Sequence, residues 1–545
     1  MVLLSAGRAE AQFLSVGDYH FSLTETLYAD WHAYEAFRTE DGRDGDYQYT
    51  DIKNRLNIMV DSSAFEAGFR LDTATFLAPS GAEAAEAFNK RFDDNYTLEK
   101  VYARFRDRNF SVEVGDVYGC LGKGIALCVK KVDELSMDPT LRGGKAAFRN
   151  SLFHVTALGG TANIVNVGDK VEERLDDPDD VVMGGEMRVT PFPWVSVSGH
   201  ASLVRDFDDA HGLQQTGNGR REVAVTGGML SFPDLFGAGS LVVEFDRMTN
   251  QGIYVTGVDG LTVTSEEQGG KALYAAATAD AWIFHLLGEM KWYEGFDGWG
   301  AVGKRVTSTK GPELVYYGVL PPIEDDAMFL RPEQYDVFGG RLRLDAEIPP
   351  SESVLFVSYA QFEGTEEVDL PEEGQHVRHV IVGVEQRVDR LSIVGSVSGG
   401  WRWDQDGLKH DYAMHHVEGD VHFPIWGAHS FELLGRREAY DDAMGADFSI
   451  ARVASTYTYA SLGSLSFVYE YSDQPGARPA GKDLFTWETT TLEHFYSMEV
   501  VARLRSDAYV KLLVGSTRGG LRCAGGVCRT FPPFEGARGE LTFRF

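Results

Sequence analysis

The sequence predicts an all-β chain, a single large antiparallel transmembrane β-barrel of about 24 strands, between about 22 and 26. Three observations predict it. Apolar and polar residues alternate with period two over runs of about 9–13 residues. Short turns and long polar loops follow one another along the chain, and the last segment alternates up to a terminal Phe545.

Composition narrows the field first. The 545 residues carry 51 Lys+Arg against 82 Asp+Glu, a formal charge of −31. Such a surface repels phosphate backbones, so nucleic acid is not an expected partner. No apolar run approaches the roughly 18–20 residues that a bilayer-spanning helix needs. Aromatics at 12%, 60 Gly and 18 Pro fit strands and tight turns.

At the N-terminus, Val2-Leu3-Leu4 leads to Ala9-Glu10-Ala11 before Gln12, the small-x-small form of a signal-peptidase site. Residues 1–11 read as the tail of an export signal and 12–545 as the barrel. The cysteines agree with export, because Cys120 with Cys128 and Cys523 with Cys528 are two local pairs whose spacings suit loop disulfides.

The alternating runs come next. Leu56, Ile58 and Val60 oppose Arg55, Asn57 and Asp61; Phe65, Ala67, Phe69 and Leu71 then oppose Glu66, Arg70 and Asp72, which makes a hairpin. Val195, Val197, Ala201 and Leu203 repeat the pattern, as do Phe284, Leu286, Met290 and Trp292, then Leu342, Leu344, Ala346 and Ile348, and later Met498, Val500, Ala502 and Leu504. Strands of a soluble sandwich are usually about 5–6 residues long, whereas these have the length of tilted strands crossing a hydrocarbon layer.

Short turns are expected at Ser62-Ser63, Asp107-Arg108-Asn109, Arg149-Asn150, Pro191-Phe192-Pro193, Pro233-Asp234, Ala279-Asp280, Pro349-Pro350, Val388-Asp389, Pro424 to Gly427, Leu462-Gly463 and Ser506-Asp507. Long loops are expected at Tyr34 to Asp46, Ala78 to Asn95, Leu158 to Asp180, Gln251 to Gly270, Glu294 to Gln334 and Asp473 to Glu488. Short turns on one side and long loops on the other place the turns at the periplasmic rim and the loops outside the cell. Pairing runs across the turns, and adding the first run (Tyr19 to Trp31) and the last, gives the even strand number.

At the C-terminus Leu541, Phe543 and Phe545 share one face. The ending resembles the terminal strand recognised by the outer-membrane barrel-assembly machinery, although Gly539 sits one place earlier than that pattern prefers. The resemblance implies the bacterial outer membrane, with lipid, lipopolysaccharide and that machinery as partners.

In the run Phe110, Val112, Val114, the next same-parity residue is Asp116, and a charge facing lipid costs a few kcal/mol. The strand must therefore end or bulge by Gly115. The stretch from Gly115 to Lys145, with Gly119-Cys120-Leu121-Gly122-Lys123-Gly124 and Leu141-Arg142-Gly143-Gly144, resembles a motif of porin-like and alginate-export-like outer-membrane barrels. That resemblance implies a loop over 116–140 folded against the inner wall. Asp116, Lys123, Asp133, Glu134, Asp138 and Arg142 would then line a constriction, and Cys120–Cys128 would staple it.

The resemblance to alginate exporters implies a strongly basic lumen for a polyuronate, but inward parity here is mixed. Arg55, Arg70, Arg104, Arg341, Arg343, Arg436 and Arg503 face in beside Glu66, Asp72, Glu186, Glu244, Glu289, Asp345, Glu347, Glu418, Asp420 and Glu499. With acidic loops at the entrance this favours weak cation preference.

His416, Glu418, Asp420 and His422 share one strand face at period two and could hold a divalent ion, although a plain polar lumenal face has the same pattern. Ca²⁺ is a weaker expectation at Asp176-Asp177-Pro178-Asp179-Asp180, at Asp206 with Asp208-Asp209, and at Asp404-Gln405-Asp406-Gly407, none of which has EF-hand spacing. No other cofactor is expected. The sequence has no G-x-S-x-G, H-E-x-x-H, P-loop or dinucleotide fingerprint, so it is not read as an enzyme.

Three functions remain as expectations. The first is passive passage of small polar or cationic solutes through a porin-like channel. The second is an export conduit for a polysaccharide or protein, working with a periplasmic partner. The third is a surface adhesion barrel using the aromatic loop residues Trp299 and Tyr316-Tyr317.

Overall fold

Period-two alternation puts one set of side chains on each face of a strand, and in a sheet that closes on itself those faces become an exterior and a lumen. The computed structural model describes residues 14–38, 44–77, 94–167, 177, 180–206, 221–255, 263–296, 305–308, 311–314, 337–349, 351–364, 376–406, 410–442, 447–460, 462–474, 480–482, 489–491, 493–524, 527–531 and 533–545. The 1–11 segment, Trp299 and Tyr316-Tyr317 lie outside these residues, as do Asp176, Asp179, Asp208 and Asp209 of the acidic loops.

Among the described residues, 24 antiparallel strands form a closed transmembrane barrel. They are β1 Tyr19–Arg38, β2 Asp44–Asp61, β3 Phe65–Leu77, β4 Asn95–Arg106, β5 Phe110–Val117, β6 Thr140–Arg149, β7 Phe153–Asn163 and β8 Val181–Phe192. Next come β9 Val195–Asp206, β10 Arg221–Phe232, β11 Gly239–Val255, β12 Val263–Ala281, β13 Phe284–Glu294, β14 Val337–Ile348, β15 Ser353–Gly364 and β16 His376–Val388. The last third is β17 Ile393–Asp406, β18 His410–Trp426, β19 His429–Asp442, β20 Phe448–Tyr459, β21 Gly463–Ser472, β22 His494–Arg505, β23 Ala508–Thr517 and β24 Phe534–Arg544. A short segment, Leu14–Val16, folds back on β1.

Backbone groups facing lipid cannot go unpaired, so the sheet must have no edge. β24 pairs with β1 from Thr24↔Arg544 to His32↔Gly536. The terminal residue completes the seam, where Leu23 N donates to the Phe545 carbonyl at 3.0 Å and Phe545 N donates to the Leu23 carbonyl at 2.7 Å.

Each expected short turn joins two consecutive strands, but some are displaced, the one expected at Pro191-Phe192-Pro193 falling at Pro193-Trp194. The β12–β13 turn falls at Trp282-Ile283, three residues beyond Ala279-Asp280, and the β18–β19 turn at Gly427-Ala428, with Pro424 still in the ladder. Several strands also outrun the expected length. β1 has 20 residues, β2 18, β11 17 and β12 19, so much of Tyr34 to Asp46 and Gln251 to Gly270 is ladder rather than loop. Beyond the apolar band both faces of a strand are polar, and alternation fades while hydrogen bonding continues.

The exterior is apolar across the membrane band, and outward charges such as Arg205 with Glu222 and Lys271 with Glu294 appear only beyond it. Aromatic side chains crowd the short-turn rim, with Trp194, Trp282, Phe284, Phe110 and Trp426 exposed, and a second set lies higher, with Tyr96, Trp292, Phe338, Trp401 and Trp403. Phe284 and Trp292 of β13 are separated by about 27 Å along the strand, or about 20 Å after a tilt of about 40°, close to the ~25 Å band between aromatic girdles.

Candidate functional site

β5 has only 8 residues, so the chain leaves the wall partway up the barrel. The departure begins at Gly115, whose φ of +98° suits glycine and whose Cβ would stand 2.0 Å from the Val101 carbonyl oxygen. The β4–β5 ladder stops at Tyr102↔Gly115, while β5–β6 pairing continues through Asp116↔Arg142 and Val117↔Leu141. The expected bulge is thus present, and it turns Asp116 away from lipid. Its carboxylate accepts from Val101 N at 2.6 Å, Asn163 Nδ2 at 2.7 Å and Thr140 Oγ1 at 3.1 Å, taking the place of the lost ladder partner.

Residues 118–139 then fold against the lumenal face. Gly119–Leu121 and Leu127–Val129 form a small antiparallel hairpin closed by the Cys120–Cys128 disulfide. Leu121, Ile125 and Leu127 are fully buried against Leu158, Val182, Val204, Val223 and Val225, which have the parity opposite to the exposed Met183, Val197 and Leu230. Polar contacts fix the tip. Gly122 N donates to Glu186 Oε2 at 3.0 Å, Lys123 N to Glu244 Oε2 at 2.7 Å, and Ser202 Oγ to the Ala126 carbonyl at 2.6 Å. Farther on, Cys128, Val132 and Leu135 bury a second small core to which Phe531 of the β23–β24 connection contributes.

The base of the segment is clamped by charge. Asp138 accepts from Arg70 Nη1 at 2.7 Å and from the Tyr118 hydroxyl at 2.5 Å, and pairs with Lys100 Nζ at 2.5 Å. Arg70 also forms a bidentate pair with Asp72, at 2.9 Å and 2.6 Å, and Lys145 Nζ donates to the Tyr118 carbonyl at 2.8 Å. Burial pushes the Asp138 carboxyl up, but Lys100, the Tyr118 hydroxyl and Arg70 outweigh it and hold the group below the ordinary carboxylate value. The Tyr118 phenol is driven well above its usual value by burial, then by the Asp138 charge.

The six residues expected at the constriction divide into two sets. Asp116 and Asp138 are buried in the networks just described, whereas Lys123, Asp133, Glu134 and Arg142 are exposed. Lys100 is hidden from a parity reading by a bulge. Arg70 pairs with Lys100 and Leu71 with Leu98, so Glu99 is an extra residue and both Glu99 and Lys100 point inward. Leu98 and Val101, three apart yet both on the lipid face, are its signal in the sequence.

The β18 row does not converge. His416 Nε2 meets His379 Nε2 at 2.8 Å, Glu418 accepts from Ser398 Oγ at 3.2 Å, and Asp420 accepts from Ser396. Of the acidic stretches, Asp177 accepts from Ile164 N and Asn166 Nδ2, and Asp404 pairs with Arg402. Cys523 and Cys528 are register partners in a hairpin of the β23–β24 connection; their side chains lie outside the described set.

A family described as a family of unknown function (DUF6029) matches residues 465–545, the part of the chain that runs to the closing strand. No curated protein matches the sequence. Among solved structures the chain is similar to a mutant of the ferric enterobactin receptor PfeA from Pseudomonas aeruginosa, with TM-score 0.50 and 8% identity over 96% of this chain and 81% of that one. It is also similar to the copper transporter OprC, with TM-score 0.49 and 10% identity over 98% and 81%. At such identities the likeness is one of fold, a large β-barrel.

Proposed function

We propose that the protein is a bacterial outer-membrane channel for the passive passage of small polar or cationic solutes, with segment 118–139 as its constriction. The observation that supports this best is the asymmetry of the lumen. The segment dries one wall, while charged lumenal side chains on the opposite wall stay wet, with Arg452 54%, Glu418 42% and Lys511 38% exposed. The segment packs on β7–β11 and reaches the β23–β24 connection at Phe531, and the wet wall beyond it leaves a path in a barrel wider than a porin of about 16–18 strands. Lys123, Asp133 and Glu134 are the exposed charges that would meet a solute there, Arg142 sharing the outward parity of Ala146 and Phe148 on β6, and the net charge of −31 favours cations at the entrance.

The test is single-channel recording in a planar bilayer under a salt gradient, before and after replacing residues 118–138 with a short linker. A steady, cation-leaning conductance that rises on replacement is expected. A barrel that stays closed in both forms would overturn this reading in favour of a gated export conduit, which the strand number also accommodates.

A further inference from the structure

Under the hairpin tip lies a cluster that the channel reading does not use. His200 of β9, Gly227 of β10 and Asp246 of β11 are in register across three strands. Strands two apart are separated by about 9.6 Å, too far for most side chains to meet. Here they meet because the middle position has no side chain: a Cβ on Gly227 would stand 2.0 Å from Asp246 Oδ1 and 2.6 Å from His200 Nε2. His200 Nε2 lies 2.6 Å from Asp246 Oδ1 and 3.8 Å from Glu244 Oε1, and the three ligand atoms all fall within 4.8 Å of one another.

The cluster is sealed. The side chains of His200, Glu244 and Asp246 are 0% exposed. Gly122 forms part of the lid, since a Cβ there would stand 2.4 Å from Glu244 Oε1. Beneath that lid, Glu244 Oε1, Asp246 Oδ2 and His200 Nδ1 have no hydrogen-bond partner among the described residues. The only cationic group within 4.0 Å of either carboxylate, among the described residues, is His200. Two buried carboxylates with one imidazole and spare lone pairs are expensive unless a further positive charge, a shared proton or a metal ion, is present.

Another buried cluster, Asp30, His32 and Asp51, has similar ligand types but already contains its compensation. Arg538 Nε is 2.9 Å from Asp30 and Lys53 Nζ 3.1 Å from Asp51. Among the described residues, the β9–β11 cluster has no such cation.

We propose that His200, Glu244 and Asp246 bind one divalent transition-metal ion of the zinc type, which ties the hairpin to the barrel wall. One nitrogen and two carboxylate oxygens suit such an ion better than Ca²⁺ or Mg²⁺, which prefer all-oxygen shells. A tetrahedral site with bonds of about 2.0–2.1 Å has ligand-to-ligand edges of about 3.3 Å, between the 2.6 Å and 3.8 Å separations present. Because Glu244 Oε2 also accepts from Lys123 N, the ion and the hairpin share one carboxylate. Metal binding and hairpin docking should therefore be linked.

The experiment uses the full chain refolded in detergent, with folding checked by heat-modifiable gel mobility. Bound metal is counted after incubation with Zn²⁺ and desalting, and reduction of Cys120–Cys128 by a hydrophilic thiol is timed with and without a chelator. About one zinc per chain is expected, with affinity at least about tenfold weaker in His200→Gln and Asp246→Asn, and reduction several-fold faster after chelation in the wild type alone. Sub-stoichiometric zinc in the wild type, or equal binding in both variants, would overturn the proposal. Should the variants not fold, zinc-edge absorption of the wild type decides: a mixed imidazole and carboxylate shell supports the site, and a hydrated or sulfur-ligated ion refutes it. None of these readouts depends on conductance, so a failed channel assignment leaves the metal test intact.

Discussion

The lumenal faces of β7–β12 and of β20–β23 are made by the same alternation, yet on the first apolar side chains are sealed under the hairpin and on the second the charged side chains stay wet. On β7–β12 the inward positions include Leu158, Val182, Val204, Val223, Val225 and Met248, all buried beside Leu121, Ile125 and Leu127. On the far wall the inward positions carry ion pairs, such as Arg452 with Glu470 at 3.6 Å and Lys511 with Glu499 at 2.9 Å. The difference teaches that a barrel strand apolar on both faces marks where a further layer of chain lies inside.

The largest effect should come from the clamp that holds this layer. Asp138→Ala leaves Lys100 and Arg70 buried without their shared anion, although Arg70 keeps Asp72. Breaking such a pair costs about 3 kcal/mol or more, a factor of at least about 10² in the docked fraction of the hairpin. The time course of Cys120–Cys128 reduction measures it, and an unchanged rate would show that the apolar contacts alone suffice. Acid should mimic the substitution. The folded-state value of Asp138 is depressed, so its contribution is complete above the unfolded value of about 3.9 and is lost as pH falls through the folded value below that. Measured relative to an unconstrained disulfide under the same conditions, which cancels the loss of reductant thiolate in acid, the reduction rate should be flat from pH 7 to about 4.5 and rise in stronger acid.

Next in size is the apolar contact itself. Leu127 is fully buried, and Gly184 is compatible with it only as glycine, since a Cβ there would meet Leu127 Cδ2 at 3.0 Å and Leu121 Cδ1 at 2.8 Å. Leu127→Ala should weaken docking by about 2–3 kcal/mol. A conservative change on the far wall's lipid face, Val453→Ala, should leave hairpin docking untouched. If both variants loosen the hairpin equally, the two walls are coupled through the barrel as a whole and the comparison fails.

Much of this architecture is legible in the sequence. Strand number, turn positions and the break at Gly115 follow from parity, because a charge cannot face lipid and a sheet cannot end there. The dry wall is less legible. A period-two reading records the lipid-facing residues, and Val182, Val204 and Val225 lie on the other parity, where polar residues are the default. Consecutive apolar residues at Val181-Val182-Met183 and Leu203-Val204 are the available sign. The cluster of His200, Glu244 and Asp246 is beyond the reach of parity, since it depends on which strands stand two apart and on Gly227 between them. Lys100 is hidden by one inserted residue, Glu99, which reverses parity for the rest of β4.

The smallest energetic effect belongs to the wet wall, and it is the sharpest test of function there. Arg452 is half exposed and its pair with Glu470 is long at 3.6 Å, so Arg452→Ala should change stability by less than about 1 kcal/mol. Removing its charge leaves Glu470 facing the lumen, so the reversal potential under a salt gradient should move further toward cations. The shift should shrink in 1 M salt, where the screening length falls to about 3 Å. Lys123→Ala, at the hairpin tip, makes the complementary measurement, because Lys123 holds Glu244 only through its backbone N–H and its exposed side chain can be removed without unseating the hairpin. Selectivity that responds to Lys123 alone would put the solute path against the hairpin, and selectivity that responds to Arg452 alone would put it along the far wall. A response to both is what a path between the two walls requires.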